Sequence, residues 1–133
     1  MTSSGQLQAT RHAAATAGKA VICPFETAYA EHFRPGFTRR IVYTGSLMMV
    51  VLDIDNGPWQ EPDPPHSHPH EQTAYVVEGE VLFFCEGFAP ITLKAGDTYA
   101  IPPNIPHGIK LLSKTARLID CFTPIRQDFL SNA

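Results

Sequence analysis

The sequence predicts an all-β fold, a sandwich or closed barrel of short antiparallel strands, and two observations predict it. From about residue 39 onward, short runs of Val, Ile, Leu, Phe and Tyr alternate with Gly, Pro, Asn and Asp, a pattern typical of brief strands separated by turns. Twelve prolines and nine glycines in 133 residues disfavour long helices. Without a helical layer, a second sheet or closure of the first must cover the apolar faces.

The predicted strands follow one another through the last two-thirds of the chain. In chain order they are RRIVYT, LMMVVLDI, TAYVVE, EVLFFCE, PITLK, TYAIP, HGIKLL and ARLIDCFT. Gly79, Gly87 and the stretch 95–97 stand where turns between them are needed. The last segment, PIRQDFL, predicts a short helical turn because Pro124 can occupy a first-turn position.

The length of the chain predicts one domain, because 133 residues bury roughly two-thirds of their unfolded surface around a single core. We expect the barrel domain to span residues 21–133. Residues 1–20, rich in Ala, Thr, Ser and Gly, predict a leader that is flexible or contacts a partner. Residues 20–38 are apolar enough to add a strand to a neighbouring subunit, or alternatively to cover their own barrel.

Charge and cysteine content exclude several classes of protein. The formal net charge of −3 leaves no basic stripe, so nucleic acid is not an expected partner. The odd set of Cys23, Cys85 and Cys121 has no CxxC spacing, which favours a reducing cytoplasm over a disulfide framework. No run approaches the ~20 apolar residues of a membrane span, and a membrane is not expected either.

Three of the six histidines lie within the five residues His66–His70. Side chains at i and i+2 of a strand share a face, so the imidazoles of His66 and His68 can meet one ion at ~2.1 Å. An unbroken strand would hold His66 and Gln72 about 20 Å apart, so Pro69 must mark a bend if both approach the ion. His107, after a proline-stiffened loop, offers a further ligand. The alternative is a solvated histidine-rich loop without a role in the cell.

The two histidine segments resemble the two motifs of the cupins. The first contains His66, Ser67, His68, three residues, Gln72, six residues and Gly79. The second contains Gly96, five residues, Pro102, Pro103, Asn104, two residues and His107. The resemblance covers about residues 39–123 and implies a small single-domain cupin of the conserved-barrel type, with an RmlC-like jelly-roll β-barrel. It also implies one divalent ion, Zn, Ni, Mn or Fe, bound by His66, His68, Gln72 and His107.

This chain departs from the cupin motifs at several positions. Gln72 stands where a glutamate is usual, which leaves open whether it binds the ion directly or through a water molecule. Asn104 replaces a glycine, a mild change because Asn tolerates the left-handed conformation. Position 60 is Gln60 instead of glycine, and position 111 is Leu111 instead of asparagine. The motif assigns no role to His70, which either orients a ligand or faces solvent.

The C-terminal run carries an acidic residue inside an apolar strand. Strand parity places Asp120 on the same face as Leu118 and Phe122, where a carboxylate is costly unless it is paired or used. An ion pair with Arg126 is one explanation. The tail also resembles that of small cupins of pectin and alginate degradation, which linearise 4,5-unsaturated uronic acids. That resemblance implies that Asp120 moves a proton, Arg126 faces the substrate carboxylate and Phe122 shapes the sugar pocket.

The function expected from these observations is that of a metal-dependent enzyme acting on a small carbohydrate-derived acid. We expect Tyr75 and Tyr99 to line its pocket with the residues of the tail. Two alternatives are an iron-dependent dioxygenase, because three imidazoles also support O₂ chemistry, and a non-catalytic cupin that binds a sugar or metabolite. Because cupin barrels generally pair, the resemblance further implies a homodimer.

Overall fold

The described residues, 11–130, form ten β-strands and one helical turn in this computed structural model. The strands are β1 (Ala13–Ala14), β2 (Glu31–Arg34), β3 (Phe37–Tyr43), β4 (Met48–Ile54), β5 (Glu71–Glu78), β6 (Glu80–Cys85), β7 (Ile91–Lys94), β8 (Thr98–Ile101), β9 (His107–Leu111) and β10 (Ala116–Thr123), and the helix is α1 (Gln127–Leu130). Strands β3 to β10 correspond to the eight strands predicted from the sequence, and the all-β prediction is confirmed.

The strands form two sheets. Seven strands make the larger sheet, in the order β1-β3-β4-β10-β5-β8, with β2 also paired to β3. The smaller sheet has the order β7-β6-β9. Neighbouring strands are antiparallel except for β1 and β3, which run parallel. Because β5 and β6 are consecutive in the chain but belong to different sheets, the turn at Gly79 joins the two sheets.

Strand alternation determines which side chains face the space between the sheets. On β5, Gln72, Ala74 and Val76 are buried, whereas Thr73 and Tyr75 point to the outer face. The apolar core joins both sheets through a set of side chains that are at most 2% exposed: Ile54, Val76, Val81, Leu111 and Leu118. Tyr75 is 44% exposed on the outer face and does not line the cavity between the sheets.

The N-terminal segment lies along the chain's own barrel. Strand β2 pairs antiparallel with β3, so residues 31–34 cover the domain to which they belong. Phe25 lies under the guanidinium groups of Arg40 and Arg117, at 4.0 and 4.8 Å from its ring centroid. Residues 1–10 of the expected leader lie outside the described residues, and the domain boundary at residue 20 stays a prediction.

The described residues end in the predicted helical turn, which packs against the larger sheet. Leu130 is buried in a second apolar cluster together with Ile41, Met48, Val50 and Phe122. This packing fixes the turn beside the last residues of β10, and it therefore brings Arg126 next to Phe122. No helix among residues 11–130 is long and apolar enough to cross a lipid bilayer.

Candidate metal centre

Three imidazoles from two distant segments converge on one point, and of the three residues His68 and His107 are buried whereas His66 is exposed. His66, His68 and His107 each offer a ring nitrogen, and these nitrogens lie within 4.8 Å of one another. Two backbone hydrogen bonds join the segments, because His66 and His107 each donate an N–H to the carbonyl of the other at 2.9 Å. The N–H of Asn104 also donates to the carbonyl of His68 at 2.8 Å, from the left-handed conformation expected of it (φ 67°).

Each imidazole is oriented by a backbone carbonyl. Nδ1 of His107 donates to the carbonyl of Ile105 at 2.8 Å, and Nδ1 of His68 donates to the carbonyl of His70 at 3.1 Å. The ring of His66 hydrogen-bonds the backbone of Pro64. A carbonyl can only accept, so these contacts fix the proton on one nitrogen and leave the other with a lone pair. In His107 that other nitrogen, Nε2, is buried and makes no hydrogen bond.

Gln72 connects this group to Asp120. Its amide nitrogen donates to Oδ1 of Asp120 at 3.2 Å, so its amide oxygen points the other way, 3.0 Å from Nε2 of His68. Both ring nitrogens of His68 thus face oxygens that can only accept, and a neutral imidazole carries one proton for the two contacts. With that proton on Nδ1, the lone pair of Nε2 and the amide oxygen of Gln72 face each other. A cation between them satisfies both, and the lone pair of His107 as well. Three imidazole nitrogens and an amide oxygen fit a divalent ion such as zinc, nickel, manganese or iron.

His66 and His107 are held in the form that binds metals. Burial is the main cause that lowers the pKa of His66, with the neighbouring His68 and Arg126 acting in the same direction. Burial likewise lowers the pKa of His107, to about 4, although its bond to the Ile105 carbonyl acts in the opposite direction. Both rings are therefore neutral at pH 7, and a neutral imidazole is the one that can ligate an ion.

The centre opens into a cavity of about 180 Å³ between the two sheets. Most of the predicted pocket residues line it together with the histidines: His66, Gln72, Tyr99, His107, Asp120, Phe122 and Arg126. The ring of Tyr99 stacks on that of Phe83, with a centroid distance of 4.0 Å. Burial is also the main cause that raises the pKa of Asp120, to about 6, against the hydrogen bond from Gln72 and the positive charge of Arg126.

Residues 56–122 match the family model described as the cupin domain. This chain belongs to the cupin family. It is 38% identical over 102 residues to the pectin degradation protein KdgF of Dickeya dadantii, an alignment that covers 75% of this chain and 89% of that one.

Two solved cupin structures are also similar to this chain. An RmlC-like cupin from Shewanella frigidimarina is 34% identical, with a TM-score of 0.72, and the match covers 83% of this chain and 96% of that one. KdgF from Halomonas sp. is 32% identical, with a TM-score of 0.73, and the match covers 82% and 99%. The RmlC-like jelly-roll prediction is thereby confirmed.

One explanation of Asp120 was an ion pair with Arg126, but in this cupin the two residues do not pair. Its Nε and Nη2 donate to the carboxylate of Asp128, at 3.2 and 2.7 Å, while Asp120 accepts from Gln72. The guanidinium also lies over the rings of Phe122 and Phe129, at 5.1 and 4.1 Å from their centroids. Arg126 pairs with Asp128 because the helical turn brings the carboxylate of Asp128 next to the guanidinium.

Two charged residues of the cupin's cavity were not predicted from the sequence. Arg34 and Asp63 line it and are joined by a hydrogen bond of 2.6 Å from Nη2 to Oδ2. Arg34 ends β2, a strand that the apolar pattern did not reveal, and only the pairing of β2 with β3 brings it here. His70 is half-buried outside the convergent group, where its ring approaches that of Phe122 at 6.5 Å.

Proposed function

We propose that this cupin is a metal-dependent enzyme that linearises 4,5-unsaturated uronic acids or closely related sugar-derived acids. One observation carries the proposal: the carboxylate of Asp120 is hydrogen-bonded to Gln72 in the cavity where the three imidazoles converge. A proton-transfer group and a candidate ion site thus border the same small volume. The 38% identity to the pectin degradation protein KdgF supports the same class of substrate.

We propose that His66, His68, Gln72 and His107 hold one divalent ion. When bound, the ion supplies Lewis-acid polarisation of a substrate oxygen. The guanidinium of Arg126 binds the substrate carboxylate, because Asp128 occupies only one of its hydrogen-bonding edges.

Asp120 holds or moves the proton that must be exchanged when the ring opens. Its elevated proton affinity suits a group that gives and takes a proton near neutral pH. Phe122 is buried beside the centre, with its ring 5.6 Å from that of His68, and limits the pocket on that side. The side chain of Tyr99 borders the same space and contributes a hydroxyl for a sugar oxygen.

The proposal is tested by supplying a 4,5-unsaturated uronate to the protein loaded with zinc, nickel or manganese. We expect the absorbance of the conjugated double bond to disappear. Asp120→Asn should lower the rate by about 100-fold or more and leave the metal content unchanged, because general acid–base catalysis contributes 10²–10⁴-fold. The surface variant Asp55→Asn is the control and should retain full activity. No turnover by the wild type, or full activity of Asp120→Asn, would refute the proposal.

We also propose a homodimer formed through the outer face of the larger sheet. Val51, Ile119 and Tyr75 stand side by side there, in register on β4, β10 and β5. These three side chains are uncharged, and the charged residues of the same face, Arg40, Arg117 and Asp53, pair with one another. A two-fold contact centred on the three uncharged side chains therefore brings no unpaired like charges together. Sedimentation should give a dimer that Tyr75→Asp converts to a monomer, whereas Ile91→Asp on the smaller sheet should not. A wild-type monomer would refute this.

A cytoplasmic location is part of the same proposal, since Cys23, Cys85 and Cys121 are all free thiols. Fractionation of cells that express the protein tests it, and recovery outside the cytoplasmic fraction would contradict it.

A further inference from the structure

Guanidinium groups and aromatic rings stack in a row beside the cavity. The two ends of the row are Arg34 and Arg126, and both line the cavity. The guanidinium of Arg34 lies 3.7 Å from the ring centroid of Phe37, which is 5.7 Å from that of Phe33. The guanidinium of Arg39 lies between the rings of Phe33 and Phe129, at 4.1 and 4.2 Å from their centroids. On the other side of Phe129 the guanidinium of Arg126 lies 4.1 Å from the ring centroid. The middle guanidinium, that of Arg39, pairs with Glu31 at 2.9 Å and does not border the cavity.

Arg34 and Arg126 are presented to the cavity in the same way. Each lies on an aromatic ring and is held by one carboxylate, that of Asp63 for Arg34 and that of Asp128 for Arg126. A guanidinium carries five N–H donors, and a single carboxylate accepts at most two of them, so donors remain for a ligand. Stacking fixes the plane of each group and lowers the entropy that is lost when a ligand binds.

Stability alone does not account for the pair of Arg34 and Asp63. The two side chains are 45% and 29% exposed, and exposed ion pairs contribute about 0–1 kcal/mol. Unlike the pair of Arg117 and Asp53, it borders the cavity that holds His66 and His107. The guanidinium N–H groups that do not donate to Asp63 can bind an oxygen-rich ligand group.

We propose that Arg34 is a second ligand-binding residue, and that the cavity takes small acids with oxygen-rich groups at both ends. The inference rests on the proposed function, in which Arg126 binds the carboxylate, and it assigns the far end of the ligand to Arg34. In a hexuronate that end is the C1 hemiacetal. Ring opening breaks the bond from C1 to the ring oxygen, transfers the C1 hydroxyl proton to that oxygen and leaves an aldehyde, so no atom is gained or lost. The hydroxyl oxygen at C1, which becomes the aldehyde oxygen, accepts from Arg34 before and after this step.

Two stable sugar acids test this without any turnover. Galacturonic acid has a carboxylate at one end, and galactaric acid has one at each end. Calorimetry on the zinc-loaded protein should show that galactarate binds about tenfold or more tightly than galacturonate, because a charged hydrogen-bonded pair at the second end is worth about 1.5–3 kcal/mol. Equal affinities in the wild type, or no binding of galactarate, would overturn the inference even if no variant folded.

The variant Arg34→Gln should bring the ratio of the two affinities close to one while the metal content stays unchanged. Arg34→Lys keeps the charge and should retain part of the preference. Arg117→Gln is the matched control, because Arg117 also pairs with an aspartate, Asp53, and lies over an aromatic ring, but outside the cavity. It should keep the wild-type ratio. If Arg34 only anchors the loop of Asp63, Arg34→Gln lowers both affinities equally, and an unchanged ratio overturns the inference.

Failure of this inference is distinguishable from failure of the proposed reaction. If the unsaturated uronate is not consumed but galactarate is preferred through Arg34, the reaction is wrong and the two-ended acid site stands. If the uronate is consumed and the two acids bind equally, the reaction stands and Arg34 has no part in binding.

Discussion

The amide nitrogen of Gln72 donates to Oδ1 of Asp120 at 3.2 Å, and its amide oxygen faces Nε2 of His68 at 3.0 Å. A glutamate at the same position can supply the oxygen but cannot donate the hydrogen bond. Glutamine at this position therefore couples the candidate ion site to the acidic residue beside it. This gives a physical reason for the departure of this chain from the glutamate that is usual in the motif.

We accordingly expect Gln72→Glu to retain the metal ion but to lose turnover. A carboxylate is a good ligand, yet when ionised it cannot donate the hydrogen bond to Asp120 and it repels the charge of that residue. Loss of a hydrogen bond to a charged group costs about 1.5–3 kcal/mol, and 1.4 kcal/mol corresponds to a tenfold rate, so turnover should fall about tenfold or more. Metal analysis and the uronate assay measure the two effects, with the exposed Gln60→Glu as control. Loss of the ion, or wild-type turnover, would contradict this role of Gln72.

Removal of the ion should lower the thermal stability of the protein. An ion that binds only the folded state stabilises it by mass action, about 2.7 kcal/mol at a hundredfold excess over the Kd. A chelator should therefore lower the Tm of the wild type. In His107→Gln it should have no effect, because the buried Nε2 that completes the donor set is gone. His32→Gln, an exposed histidine on β2, should respond like the wild type. A chelator effect of the same size in His107→Gln would exclude His107 as a ligand.

The parts of this protein that follow from local sequence were predictable, and the parts that depend on distant contacts were not. The histidine spacing and the position of Asp120 within β10 follow from strand parity and from the cupin motifs. Parity could also have placed Tyr75 outside, because it lies three residues from the inward-facing Gln72. Arg34 could not be found in this way, since its place at the cavity depends on how β2 pairs with β3.

Acidification should destabilise this fold partly through His12. Its side chain is 1% exposed, and burial is the main cause that lowers its pKa, against the hydrogen bond and charge of Glu31. Because the unfolded chain protonates this histidine near pH 6.5 and the folded chain resists protonation, the free energy of unfolding falls as the pH drops through 6.5. Urea unfolding at pH 7.5 and 5.5 should therefore show a larger loss in the wild type than in His12→Gln. His32→Gln should behave like the wild type, and equal losses in wild type and His12→Gln would rule out this contribution.

The turn between β5 and β6 should tolerate substitution much less well than the turn after β6. Gly79 and Gly87 both have positive φ, +86° and +95°, so alanine is strained by about 1–2 kcal/mol at either position. A Cβ on Gly79 would also lie 2.7 Å from Cα of Ala116 and overlap the carbonyl oxygen of Thr115, whereas a Cβ on Gly87 meets open space.

Overlap with backbone atoms can be relieved only by moving the start of β10 away from the turn, which costs about a further 1–3 kcal/mol. We expect Gly79→Ala to lower the free energy of unfolding by about 3 kcal/mol, and Gly87→Ala to lower it by about 1 kcal/mol. Chemical denaturation of the two variants measures the difference. Equal destabilisation would mean that the two sheets do not meet as closely at this turn as the contact between Gly79 and Ala116 requires.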